Sequence, residues 1–247
     1  MPIEFGRRLT GSERSAGSNR LLGYVLAFIA GATNAGAFLA VRQYTSHVTG
    51  AVSTFADEAV LGHLPAAATA AGSVMAFGAG AVTCAIMVNY GRRRHWRSVF
   101  ATPLLMEAFL LLLFGLLAAR FAPVTRFAVP VTVLLLCFTM GLQNAIITKV
   151  SQAEIRTTHM TGVVTDLGIE IGKLLYVNRR TDVTPVLADR HRIRLLSSLL
   201  GSFTLGGVAG AIGFGRLGYA ATIPLAGVLA AMSVVPAYDD LRGHWRG

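Results

Sequence analysis

Apolar positions in this chain fall in long unbroken runs, not in the alternating or one-faced patterns of a soluble domain. The runs Leu21–Val41, Pro65–Tyr90, Ser98–Ala119, Phe127–Thr148, Leu195–Phe214 and Tyr219–Ala237 each predict a helix able to cross a hydrocarbon core of about 30 Å. Two further segments, Val48–Gly62 and Met160–Tyr176, are shorter and carry charges. Fifteen residues of helix reach only about 22 Å, so these predict short broken helices. They either re-enter the membrane from one side or lie at its interface.

The two short segments belong to a duplication. Gly31, Asn34 and Ala35 lead to His47, Thr49 and Gly50, and Gly141, Asn144 and Ala145 lead to His159, Thr161 and Gly162. Asn34 and His47 are 13 positions apart and Asn144 and His159 are 15 apart, so the second connection is two residues longer. Beyond the motif the register holds: Ser46 matches Thr158, Ser53 matches Thr165, Thr54 faces Asp166 and Glu58 matches Glu170. Internal repetition of this kind organises the whole fold.

Composition agrees with lipid as the solvent. Charged residues make up 14% and mean hydropathy is +0.58, against roughly 25% charged in an average soluble domain. The 27 glycines suit helices that approach closely through small residues. The net charge of +10 sits on arginines that flank the apolar runs, which argues for a cationic surface beside the membrane and against nucleic acid as a partner. Cys84 and Cys137 lie inside apolar runs without metal-type spacing.

The arginines also choose a topology. If all eight segments crossed, the arginine-rich loop 91–97, after three crossings, would face away from the N-terminus and from loop 177–194, after six. If the short segments return to their own side, both loops and both termini share one face, leaving only Arg42, Arg120, Arg126 and Arg216 opposite. The expected fold is therefore all-α, with six transmembrane helices plus two short broken or re-entrant ones. Three spans per copy make the two repeats inverted. The expected organisation is a basic cytoplasmic segment 1–20, repeat 1 over 21–120, repeat 2 over 121–237 and a cytoplasmic tail 238–247.

Through Gly31-x-x-Asn34-Ala35, Thr49-Gly50, Gly141-Leu142-Gln143-Asn144-Ala145 and Arg156-Thr157-Thr158-His159-Met160-Thr161-Gly162, the chain resembles the YoaK-like family of bacterial integral membrane proteins. That resemblance covers nearly everything after residue 20. It implies a multi-pass protein of the bacterial cytoplasmic (inner) membrane and supplies no catalytic residue.

The chemistry of the motifs suggests a site. Ser46 and Thr158 are expected to cap the short helices, with His47 and His159 as first helical residues and Thr49 and Thr161 in the first turn. Gly50 and Gly162 leave a face that a solute can approach, where free amides favour an anion or carbonyl oxygen. Thr54 and Glu58, with Asp166 and Glu170, continue that face at four-residue spacing as candidates for coupling or a polar pathway. Asn34 and Asn144 either bridge helices or contribute to the solute site, and Glu107 is an isolated carboxyl amid leucines. The alternatives are simple capping, and a local ion pair of Glu170 with Lys173.

The expected function is passage of a small solute or ion, with both histidines around one shared central cavity. A membrane enzyme acting on a lipid or small metabolite, or a scaffold that transports nothing, are the other readings. No His-Glu-x-x-His, paired-cysteine or nucleophile-elbow motif is present, so no catalytic residue, metal or cofactor is expected. The lipid bilayer and the solute are the expected partners, and a homo-oligomer is left open.

Overall fold

Each predicted apolar run is helical, and most helices outrun their apolar stretch. The structure, a computed structural model, describes residues 10–11, 15–41, 45–121, 128–179 and 183–244. The expected polar segment 1–20, the tail 238–247, the connection 122–127, Arg42 and Arg180 lie wholly or partly outside them. The helices are α1 (Ala16–Val41), α2 (Val48–Val60), α3 (Leu64–Arg93), α4 (Ala101–Phe121), α5 (Ala128–Val150), α6 (Met160–Leu175), α7 (Arg190–Leu217) and α8 (Thr222–His244). No strand occurs among the described residues.

The extra turns have local causes. Helix α7 starts at Arg190, well before the apolar run, because the Asp189 carboxylate accepts the N–H groups of His191 and Arg192 at 2.8 and 3.1 Å. That capping satisfies amides an apolar side chain could not. Pro65 stands in the first turn of α3, where its missing N–H costs nothing. Hydropathy marks where a helix meets polar surroundings, not where its hydrogen bonds stop.

Five segments are long and apolar enough to cross a membrane: Ala16–Leu39, Leu64–Arg93, Ala101–Arg120, Val131–Val150 and Arg190–Asp240. The last contains α7, the 3-10 turn Gly218–Ala221 and α8. Large apolar side chains face outward, including Met75, Val82 and Ile86 on α3 and Leu205, Val208 and Ile212 on α7. Small residues face inward at the crossings. This is the arrangement of a multi-pass membrane protein, in which helices gain nothing by hiding leucine from lipid and associate through close packing.

The helices pack chiefly as pairs: α1 with α7, α3 with α5 and α4 with α8, while α2 lies on α3 and α6 on α7. Two of these pairs meet through the same four-residue element. Phe28-x-x-Gly31 of α1 faces Phe203-x-x-Gly206 of α7, and Phe77-x-x-Gly80 of α3 faces Phe138-x-x-Gly141 of α5. In all four cases a methyl group on the glycine would run into the carbonyl oxygen of the opposing phenylalanine. Only hydrogen at Cα lets the backbones come this close.

The contacts also give helix directions. Gly31 meets Phe203 and Gly36 meets Phe214, so α1 and α7 run parallel. Gly72 meets Leu134 and Gly80 meets Phe138, so α3 and α5 do too. Helices α1 and α5 run antiparallel, since Gln143 Nε2 donates to the Leu26 carbonyl at 3.1 Å while Gly23 meets Ile147 and Ile155. One end of the molecule gathers distant segments. There the Asp240 carboxylate accepts the N–H groups of Arg97 and Ser98 at 3.0 and 2.7 Å, and Phe100 N–H donates to the Thr10 carbonyl.

Candidate functional site

The two connections into the short helices are held from behind by the motif asparagines. Asn34 Oδ1 accepts the Ser46 N–H at 3.4 Å, and Asn144 Oδ1 accepts the Thr158 hydroxyl at 2.8 Å. Asn144 also donates to the Met140 carbonyl at 2.8 Å. An amide late in each long helix therefore fixes the chain just before the histidine. Such bonds in a membrane bundle contribute about 0.6 kcal/mol on average.

This overturns the expected caps. Helix α2 starts at Val48 and α6 at Met160, with His47 and His159 in the N-cap positions and no side-chain capping bond at either. The Thr158 hydroxyl donates to Asn144 and accepts no amide of α6. On the other side the asparagine holds the Ser46 backbone N–H. The first-turn amides of both short helices are left without a side-chain partner.

Each histidine lines its own cavity. One, of about 520 Å³, lies between α2 and α3 and includes His47, Gly50, Thr54 and Glu58. The other, of about 570 Å³, lies between α6 and α7 and includes His159, Gly162 and Asp166. The expected single cavity shared by both histidines is not formed by either. The physical reason is direction: α2 follows the end of α1, α6 follows the end of α5, and α1 and α5 are antiparallel, so the two helix starts lie at opposite ends of the bundle. Neither cavity is lined by Asn34, Asn144, Thr49, Thr161, Glu107 or Glu170.

The cavities differ in charge. In the second, Asp166 Oδ2 accepts from Arg192 Nη2 at 2.8 Å, and Arg156 and His191 stand nearby on the wall. Burial, and then the Arg156 charge, hold the His159 imidazole below its ordinary 6.5, so its neutral, donor-and-acceptor form prevails at neutral pH. In the first, Thr54 replaces Asp166 and the walls are more apolar, with Phe38, Val74 and Val133.

The repeated glutamates brace the next helix. Glu58 Oε2 lies 2.8 Å from Nδ1 of His63, the N-cap residue of α3. Glu170, 3% exposed, pairs with Lys173 at 2.7 Å and accepts the Asp189 N–H at 2.8 Å. Lys173, then the Asp189 amide, hold its carboxyl below the ordinary carboxylate value. The ion pair with Lys173 is the local one that spacing alone suggested. Glu107 is fully buried with Gln143 beside it, and neither carboxyl oxygen has a partner in good hydrogen-bond geometry. Arg192 and His191 had no signal in sequence, because only the fold brings the start of α7 to α6.

Among the described residues, no three of His, Cys, Asp and Glu converge as metal ligands. A family model described as a protein of unknown function, DUF1275, matches residues 22–235. No curated protein and no solved structure matches the chain.

Proposed function

The chain belongs to the DUF1275 family of proteins of unknown function, and we propose that it passes a small solute or ion across the bacterial inner membrane. The observation that carries this reading is the pair of cavities. Equivalent residues of two motifs, His47 with Gly50 and His159 with Gly162, line separate pockets at opposite ends of one bundle. Two equivalent pockets give a solute a place to enter from either side, and inverted repeats supply such a pair by symmetry.

The pairing of helices supports the same reading. Exchanging α1 with α5 and α3 with α7 converts one Phe-x-x-Gly crossing into the other and reverses chain direction. We read this as two inverted three-span repeats, six crossings in all, with both termini on the cytoplasmic face. The narrower YoaK-like grouping fits the same motif residues. In this reading Asn34 and Asn144 position the histidines, and Thr54, Asp166 and Glu58 line the approach.

The test is flux. The purified protein in proteoliposomes, under an imposed gradient of protons, alkali cations or small organic acids and amines, should dissipate at least one of them faster than empty vesicles. His47→Ala and His159→Ala should each abolish that flux while the protein still inserts and melts cooperatively. A folded, inserted protein that dissipates none of these gradients, or histidine variants with full flux, would overturn the proposal.

A further inference from the structure

Thr45 and Thr157 occupy the same place in the two copies, two residues before the histidine. Both are buried, at 4% and 0% exposure, and both hydroxyls lack any hydrogen-bond partner. A buried hydroxyl with nothing to bond costs about 1–3 kcal/mol. The coincidence of position means that this cost recurs with the motif.

Thr45 lines the α2–α3 cavity together with His47 and Gly50. Helix α2 has no side-chain cap, and Val48, Gly50 and Ala51 of its first turn also line this cavity, at the positive end of the helix dipole. Gly50 gives the His47 ring room to lie across that turn, since a methyl there would meet Nδ1 at 2.5 Å. The polar groups at this end can all donate: amides, a hydroxyl and an imidazole. Around them Phe38, Val74 and Val133 present apolar surface. Glu58, the one carboxylate on the wall, is engaged by His63 and lies eight residues, about 12 Å, along the helix from Gly50.

We infer that the α2–α3 cavity binds a small organic acid, its carboxylate received by the Thr45 hydroxyl and the first turn of α2 and its apolar body lying against Phe38, Val74 and Val133. Carboxylate oxygens accept several hydrogen bonds at once, which suits a cluster of donors at a helix start. The inference rests on the reading of the cavities as solute sites, and adds the class of solute and a residue that spacing arguments had passed over.

The experiment measures binding directly, apart from flux. Acetate, butyrate and benzoate are titrated into the full chain in detergent, with chloride and sulfate as comparison anions, by calorimetry and by melting temperature. Butyrate or benzoate should bind and should raise the melting temperature more than acetate, with chloride and sulfate ineffective. Thr45→Val keeps the side chain's shape and should weaken butyrate binding about tenfold or more, the size of a lost bond to a charged group. Thr45→Ser should retain binding. If Thr45→Val binds butyrate like the wild type and simply melts higher, the hydroxyl is an unpaired buried group and the inference is overturned. Failure of every organic acid to bind overturns it as well. Binding without flux would leave this site standing and remove the transport reading, whereas flux that Thr45→Val leaves untouched would do the reverse.

Discussion

Asn144 reaches from the last third of α5 to the hydroxyl of Thr158, 2.8 Å away, and so holds the start of α6 against the helix that precedes it. The corresponding bond in the first copy runs from the Ser46 amide to Asn34 and is longer, 3.4 Å.

That difference predicts unequal costs. Asn144→Ala should destabilise the protein by about 0.6–2 kcal/mol, and Asn34→Ala by less. Melting curves in detergent measure both. Equal losses, or a larger one at Asn34, would show that the shorter bond is not the stronger brace.

The glycine crossings give the largest expected effects. Gly141→Ala and Gly206→Ala each drive a methyl into a phenylalanine carbonyl, and should cost about 1–3 kcal/mol or more, as overpacking does. Gly162→Ala is the contrast, because nothing lies within 4 Å of its added methyl. It should be neutral or stabilising by up to about 1 kcal/mol, since alanine favours helix. Chemical denaturation of the three variants settles the order.

Acid should loosen the join between α6 and α7. The Glu170 carboxyl is held below its ordinary 4.5, first by Lys173 and then by the Asp189 amide. A depressed carboxyl contributes stability that is complete above about 4.5 and is lost as pH falls through the folded-state value. Lys173→Met removes the larger cause and should move Glu170's folded-state titration upward, toward 4.5, so that the variant is less stable at neutral pH and loses less on acidification. Stability measured against pH for the two proteins tests this; identical acid limbs would assign the loss to other carboxyls.

Topology is tested by cysteine labelling in a background without Cys84 and Cys137. Cysteines replacing Arg94 and Arg179 should be shielded from an impermeant reagent in intact cells, and one replacing Arg216 should react. The reverse pattern would turn the whole molecule over.

Much of the architecture was legible because hydropathy reports solvent directly. The long runs and the two short polar segments all became helices. The Phe-x-x-Gly elements were hidden for a simple reason. The repeat register established from Glu58 and Glu170 is lost in the next connection, where α2 and α3 are joined by residues 61–63 but α6 and α7 by residues 176–189. Phe77 and Phe203 therefore do not align at the offset that matches Glu58 to Glu170. The caps were misleading because a hydroxyl before a helix looks the same in sequence whether it faces the helix or, like Thr158, an asparagine on another one. The single shared cavity failed on geometry that the expected inverted topology already contained.

The glycine crossings also bear on how the chain is made. Each pairs a helix from one half of the sequence with a helix from the other: α1 awaits α7, and α3 awaits α5. A ribosome that has finished residue 121 has delivered four helices, α1 to α4, but neither of these crossings. The early helices must then wait in lipid with their glycine faces open until the second half arrives. The halves are thus not modules that fold in turn, and a truncation after α4 should be a substrate for membrane quality control, not a smaller working protein.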